Sequence, residues 1–314
     1  MPCCLVAGKA ARLRYNLITK TPDPNSNFQS STALNTTSDP QATEAIRLAS
    51  LSYRYSDGVT ALNDLNLSIH RGQTVALVGP NGAGKTTLLL HLNGIFPQAK
   101  AGWLASISHG HNHSGQGADK PVASSDQAGV WVEGLKVSPK TAPEIRRRVG
   151  LLFQDPDDQL FAMTVREDVA FGPINHGMDR KSALIWADEC LAQVGLEHVS
   201  QRPPHHLSFG ERKRVCLAGV LACKPTVLVM DEPTANLDPR ARRRFLGLIS
   251  SLNMTKLIAT HDLEMVLEIC DRVLLLDGGR LIADGSPIEL LSNKELVEAH
   301  GLEVPPSLAS RIQG

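Results

Sequence analysis

Thr74-Val75-Ala76-Leu77-Val78-Gly79-Pro80-Asn81-Gly82-Ala83-Gly84-Lys85-Thr86-Thr87 decides the architecture of this chain. Thr74–Val78 reads as a short buried strand that runs straight into Gly79. Gly79–Thr86 fits the pattern G-x-x-x-x-G-K-[ST], and Leu88, Leu89, Leu92 and Phe96 mark the apolar positions of a helix that should follow. A strand before and a helix after is the context this motif requires. The glycines let backbone N–H groups curl around phosphate oxygens, and the helix N-terminus adds a favourable dipole. Lys85 then supplies a cation for the β- and γ-phosphates, and Thr86 a hydroxyl for Mg²⁺. The expected phosphate-binding residues are Gly79, Pro80, Asn81, Gly82, Ala83, Gly84, Lys85, Thr86 and Thr87.

A second apolar strand, Val227–Met230, ends in Asp231-Glu232. An acid at a strand end beside a phosphate loop suits Mg²⁺ coordination through water, which is the expectation for Asp231. Glu232 is placed to polarise an attacking water as general base, a role worth ~10²–10⁴-fold in rate. Leu207-Ser208-Phe209-Gly210-Glu211 precedes a helical pattern over 211–221. Ser208 there is either an N-cap alone or the head of a second anion-binding helix terminus.

Away from these motifs the chain alternates short apolar runs with helical patterns. Val149–Phe153, Leu257–Ala259 and Val273–Leu276 read as strands, and Leu184, Ala187, Leu191 and Val194 share one face of a helix over 182–194. This alternation predicts an α/β fold with a mostly parallel sheet covered by helices. Leu65–Ile69 and Val130–Val132 read as further strands, and Asp277-Gly278-Gly279 as a hairpin turn. Residues 1–45 are polar and Pro-rich, and disorder is expected there with order beginning near Ile46. Residues 97–129 are rich in Gly, Ser, His and Ala without a period and read as a long flexible insertion.

Bulk properties exclude several classes. The formal net charge is +0, so no global basic field points to nucleic acid. The runs Arg146–Arg148 and Arg242–Arg244 read as solvated helix faces. No apolar run approaches the ~18–20 residues that span a bilayer, so a membrane role must come through a partner. The 6 cysteines include no CxxC pair; Cys190, Cys216, Cys223 and Cys270 read as small core residues. Cys3-Cys4 belongs to an unstructured tail, with lipidation as the alternative.

With its companions in order, Leu207–Glu211 resembles the signature of ATP-binding cassettes. That resemblance implies a phosphate-loop core with a mostly parallel sheet, an antiparallel β subdomain and a helical signature subdomain over 156–211. The cassette would span 46–290, with a C-terminal extension over 291–314. It also implies roles. Tyr55 would stack on adenine, Gln154 would contact Mg²⁺ and sense a membrane partner, and His261 would hold the γ-phosphate. Ala235-Asn236-Leu237-Asp238 would be a loop crossing to a second subunit. Ser208 and Gly210 would close over ATP bound by that subunit, so a homodimer or a paralogous pair is implied. Two residues depart from the family pattern. Phe209 replaces a glycine and would narrow the approach of the neighbouring site, and Glu211 replaces a common glutamine.

Phe153-Gln154-Asp155-Pro156-Asp157-Asp158-Gln159-Leu160-Phe161 and Thr164–Pro173 are similar to the ATPase subunits of energy-coupling-factor importers, particularly the cobalt/nickel type. This resemblance implies ATP and Mg²⁺ as ligands, a transmembrane coupling subunit, a substrate-specific membrane component and a peripheral place at the cytoplasmic face of the membrane. Vitamin import is the alternative within transport; a soluble cassette ATPase is the alternative outside it. His109-Gly110-His111-Asn112-His113 in the insertion reads as a polar loop rather than a Ni²⁺ or Co²⁺ site, though imidazoles suit both ions.

Overall fold

The structure, a computed structural model, describes residues 44–96 and 128–312. The expected disordered tail and insertion, including His109–His113, fall almost wholly outside the described residues. Two sheets organise the rest. Strands β1 (Glu44–Arg54), β2 (Thr60–His70), β4 (Gly129–Val132) and β5 (Leu135–Lys136) form an antiparallel sheet in the order β2-β1-β4-β5. In β2 the alternation holds: Leu65 and Ile69 face the core while Asn66 is exposed.

The second sheet runs β10-β9-β3-β8-β7-β6. Its members are β3 (Thr74–Val78), β6 (Val149–Leu152), β7 (Val227–Asp231), β8 (Thr255–Ala259), β9 (Arg272–Asp277) and β10 (Arg280–Gly285). All neighbours pair in parallel except the β9–β10 hairpin at the edge, which turns at Gly278-Gly279. Strands β3, β7 and β8 are buried at every position, as unbroken apolar runs require of a sheet covered on both faces.

Helix α1 (Lys85–Leu92) follows β3 and is buried nearly all round, because it lies in the core shared by both sheets. Phe96, expected on this helix, lies four residues past its end. Gly94 at φ +69° ends the helical course, and the chain folds back to bury Phe96 against Tyr53 and His91. Helix α2 (Ala142–Arg148) leads into β6.

Helices α3 (Val165–Asn175), α4 (Arg180–Gln193) and α5 (Phe209–Ala222) share a separate core of Val165, Val169, Ala187, Leu191, Val215 and Ala218. The opposite side of α5 presents Cys216 and Leu217 to Leu228 and Met230 of the main sheet. One helix therefore joins the two cores. Helices α6 (Pro239–Ser251) and α7 (Leu263–Ile269) flank β8. The chain continues through α8 (Pro287–Ser292), α9 (Lys294–Ala299) and α10 (Pro306–Ile312). Leu291, Val297, Leu302 and Leu308 of this region are buried on Ala76, Val78 and Leu275.

Cys190 and Cys216 are buried, whereas Cys223 and Cys270 are half-buried; all four are free thiols. Burial pushes the Cys190 and Cys270 thiols up to about 12, so they stay protonated and unreactive. Arg243 and Arg244 are exposed as expected. Arg242 is not a solvated residue: it binds both oxygens of Asp262 at 2.8 and 3.2 Å.

Candidate functional site

Close approach dictates the glycines of the phosphate loop. A Cβ on Gly79 would meet the Leu276 carbonyl at 1.9 Å, and one on Gly84 would meet that of Ala61 at 2.3 Å. Both residues also hold positive φ, at +146° and +101°. The loop delivers Lys85 to a point where its ammonium donates to Gly79 O at 2.7 Å, Pro80 O at 3.0 Å and His261 Nε2 at 3.1 Å. Lysine has only donors, so Nε2 of His261 accepts and its proton sits on Nδ1. Burial lowers the Lys85 pKa, against the opposing pull of Glu232 and Asp231.

The end of β7, which β8 separates from β3, supplies the acids. Thr86 Oγ1 donates to Asp231 Oδ2 at 2.7 Å. Burial raises the Asp231 pKa, while Thr86 and Lys85 oppose the rise. Glu232 leaves β7 at φ +43°, a conformation side chains seldom adopt. Its Oε2 accepts from Thr260 Oγ1 and from the His261 N–H, both at 3.3 Å. Its Oε1 is buried without a hydrogen-bond partner among the described residues and lies 3.6 Å from His261 Nε2. Burial, first of all, holds this carboxyl above its usual range. Burial and then the Lys85 charge lower the His261 pKa, which keeps the imidazole neutral at ordinary pH.

This set fits a nucleoside triphosphate with Mg²⁺. An ammonium and a helix N-terminus answer the anion, the Thr86–Asp231 pair offers hard oxygen ligands, and the orphaned Glu232 oxygen lacks the donor that a water would give it.

Of the residues expected from the sequence, Lys85, Thr86, Asp231, Glu232 and His261 come together. Tyr55, half-buried just past β1, joins them at one remove: its hydroxyl lies 2.8 Å from Thr87 Oγ1 on α1. Gln154 follows β6 with an exposed side chain and makes no hydrogen bond to Thr86 or Asp231 among the described residues. Its backbone carbonyl instead accepts from Lys213.

Ser208, Gly210 and Asp238 form a different cluster. They line a cavity of about 460 Å³ together with Arg214, Arg240 and Arg244. Ser208 caps α5 in a capping box: its Oγ accepts from Glu211 N at 3.3 Å, and Glu211 Oε2 accepts from Ser208 N at 2.9 Å. Glutamate serves this box as well as the glutamine it replaces, and the bonds from Ser208 lower its pKa. Phe209 turns its ring to the Arg212 guanidinium, 5.8 Å away. Asp238 caps α6, accepting from Arg240 N and Ala241 N at 2.8 and 2.9 Å.

Sequence reasoning missed Thr260 and Lys213. Thr260 lies in the run Thr260–Glu264 beside His261, but no role was assigned to it. Lys213 carried a signal, since it shares a helical face with Cys216, Leu217 and Val220. A charge on an apolar face needs partners.

Residues 62–235 match the ABC transporter family. A putative ABC transporter ATP-binding protein of Streptomyces coelicolor is 46% identical over 266 residues, 85% of this chain and 92% of that protein. The energy-coupling factor transporter ATP-binding protein EcfA of Methanothermobacter thermautotrophicus is 42% identical over 265 residues, 83% of this chain and 76% of that protein. Among solved structures, cbiO1 of Clostridium perfringens, described as part of the ABC transporter complex cbiONQ, is similar with a TM-score of 0.66 at 34% identity, over 87% of this chain and 100% of that one. The phosphate loop, the acidic strand end and these likenesses converge: the chain belongs to the ATP-binding subunits of ABC transporters, of the energy-coupling-factor type, and is an ATPase that binds ATP with Mg²⁺.

Proposed function

We propose that this ATPase is the motor of an importer for cobalt or nickel ions, attached to the cytoplasmic face of the cell membrane through partner subunits. The observation that carries the motor reading is the division of the expected nucleotide residues into two clusters. Lys85, Thr86, Asp231, Glu232 and His261 are joined by hydrogen bonds or close contact. Ser208, Gly210 and Asp238 line another cavity, beside Arg240 and Arg244. In a head-to-tail pair of cassettes each cavity would cover ATP held by the other's phosphate loop. The partner is then a second copy or a paralogue.

Within a site, Tyr55 stacks on adenine, and Gly79–Thr87 with Lys85 hold the phosphates. Thr86, Asp231 and Gln154 would hold Mg²⁺, which would supply positive charge to offset that of the phosphates. Glu232 takes the proton of the attacking water, a task its raised pKa suits. His261, neutral and accepting from Lys85, orients that water and the γ-phosphate.

The membrane contact falls on the helical subdomain. Phe161 and Met163 are 66% and 81% exposed, and Phe161 meets Phe171 edge-on at 4.7 Å. Large apolar side chains exposed together mark an interaction site, here for a coupling helix of the transmembrane subunit. The choice of cobalt or nickel rests on the resemblance of residues 153–161 and 164–173 and on the likeness to cbiO1.

Affinity purification from membranes tests the reading. Recovery of a multispanning subunit with a metal-specific component, and loss of radiolabelled Co²⁺ or Ni²⁺ uptake on deletion, are expected. A vitamin-specific component in its place would reassign the substrate, and recovery with soluble partners alone would overturn transport.

A further inference from the structure

Lys213 lies on α5, three residues beyond Gly210, and its side chain is fully buried at 0% exposure. Burying an ammonium is costly unless its donors are met. Here they are met by main-chain carbonyls alone: Phe153 O at 3.2 Å, Gln154 O closer still, and Glu232 O at 3.4 Å. No carboxylate among the described residues forms an ion pair with it. Burial pushes its pKa down to about 8.

The source of the three carbonyls gives the arrangement its meaning. Two belong to the end of β6, where the chain departs through Gln154. The third belongs to Glu232, at the end of the adjacent strand β7. Glu232 holds φ +43°, and such a conformation persists only where its surroundings over-determine it. Its N–H donates to Ala259 O at 2.9 Å, and its carbonyl accepts from Ala235 N at 3.2 Å as well as from Lys213. The local turn accounts for the Ala235 bond; Lys213 is the one side-chain donor on that carbonyl among the described residues. An apolar side chain of equal length would fill the same space without holding it.

We propose that Lys213 is a positioning residue for ATP hydrolysis: its ammonium fastens the signature helix to the carbonyls of Gln154 and Glu232, and so fixes the backbone turn that aims the Glu232 carboxylate. The inference rests on the reading of Glu232 as general base. It adds a mechanical link, because one buried group joins the helix headed by Ser208, the segment leaving β6 and the strand end that carries the base.

The test uses the purified full-length chain with Lys213→Met, which keeps length and removes the donors; should that variant not fold, Lys213→Leu, also without donors, takes its place. The expected result is a fall in kcat of about 10²-fold, the scale set by small misplacements of a reacting group. The KM for ATP should stay within about 2-fold, because Lys213 makes no contact with the phosphate loop. In a Glu232→Gln background the same substitution should cost nothing further in single-turnover phosphate release, since groups acting through one another are not additive. An unchanged kcat in Lys213→Met, with Glu232→Gln inert, overturns the role of Lys213 alone. An equal loss in both backgrounds also overturns it. Brisk hydrolysis by Glu232→Gln overturns the reading of the base itself.

Discussion

The Lys85 ammonium donates to His261 Nε2 across 3.1 Å, which joins the phosphate loop to the residue beyond β8. Its other two donors are taken by Gly79 O and Pro80 O. All three are therefore held within the chain, and phosphate oxygens must compete for at least one of them. Removing this ammonium has two consequences. Lys85→Ala should weaken ATP binding by about 10–100-fold, the worth of a charge-assisted hydrogen bond. It should also raise the His261 pKa, because the second cause of its depression is gone. Titration calorimetry reads the first and NMR of the imidazole the second. Unchanged affinity would remove Lys85 from the phosphate site.

Glu232→Gln keeps the shape of the site and loses the proposed proton acceptor. The amide oxygen can still accept from Thr260 and His261 at the 3.3 Å positions, so the strained turn should survive. Turnover should fall by ~10²–10⁴-fold, while ATP binding persists and the pair of cassettes accumulates in its closed form. Size-exclusion chromatography with ATP reads the dimer, and phosphate release reads the turnover. A variant that hydrolyses at the parent rate would move the base elsewhere.

The central site was legible in the sequence because its geometry follows from local rules. A buried strand, a glycine loop and a helix place Lys85 and Thr86 with no long-range information, and an acid that ends a parallel strand of the same sheet lies on the same edge as the loop, here at β7 with β8 between it and β3. What stayed hidden depends on contacts distant in sequence. Lys213 finds its carbonyls 59 and 60 residues away, and Arg242 finds Asp262 across 20. Phe96 was misplaced on a helix because apolar spacing continues past the point where Gly94 ends the turn. Its burial comes from Tyr53 and His91, in another strand and an earlier turn.

His91 links that aromatic cluster to acid stability. It is 4% exposed, its ring Nδ1 donates to Thr87 O at 2.8 Å, and burial pushes its pKa down to about 4. The unfolded chain, with an ordinary histidine, binds the proton at higher pH than the folded one does. Stability from this group is therefore complete above about 6.5 and falls as pH drops toward about 4. The loss across that window is roughly 3 kcal/mol at most. The difference in thermal midpoint between pH 7.5 and pH 5 should shrink in His91→Gln. An equal difference in both proteins would assign the acid sensitivity to other groups.

Phe161, Met163 and Phe171 provide the test of where the membrane subunit docks. The three side chains are 66%, 81% and 47% exposed, so replacing them disturbs little of the folded core. Surface changes of this kind stay within about 0.5 kcal/mol of parent stability. Truncating an aromatic anchor at the centre of an interface, by contrast, costs about 2 kcal/mol or more of binding, roughly 30-fold in affinity. Phe161→Ser with Phe171→Ser should therefore lose most of the multispanning subunit on purification from membranes, with the thermal midpoint in ATP nearly unchanged. A control pair on the β1–β2 sheet, such as Ser52→Ala with Thr60→Ala, should retain the subunit. Full recovery with the double serine variant would place the membrane contact on another face of the cassette, while loss with the control pair would show that recovery depends on the cassette as a whole rather than on this surface.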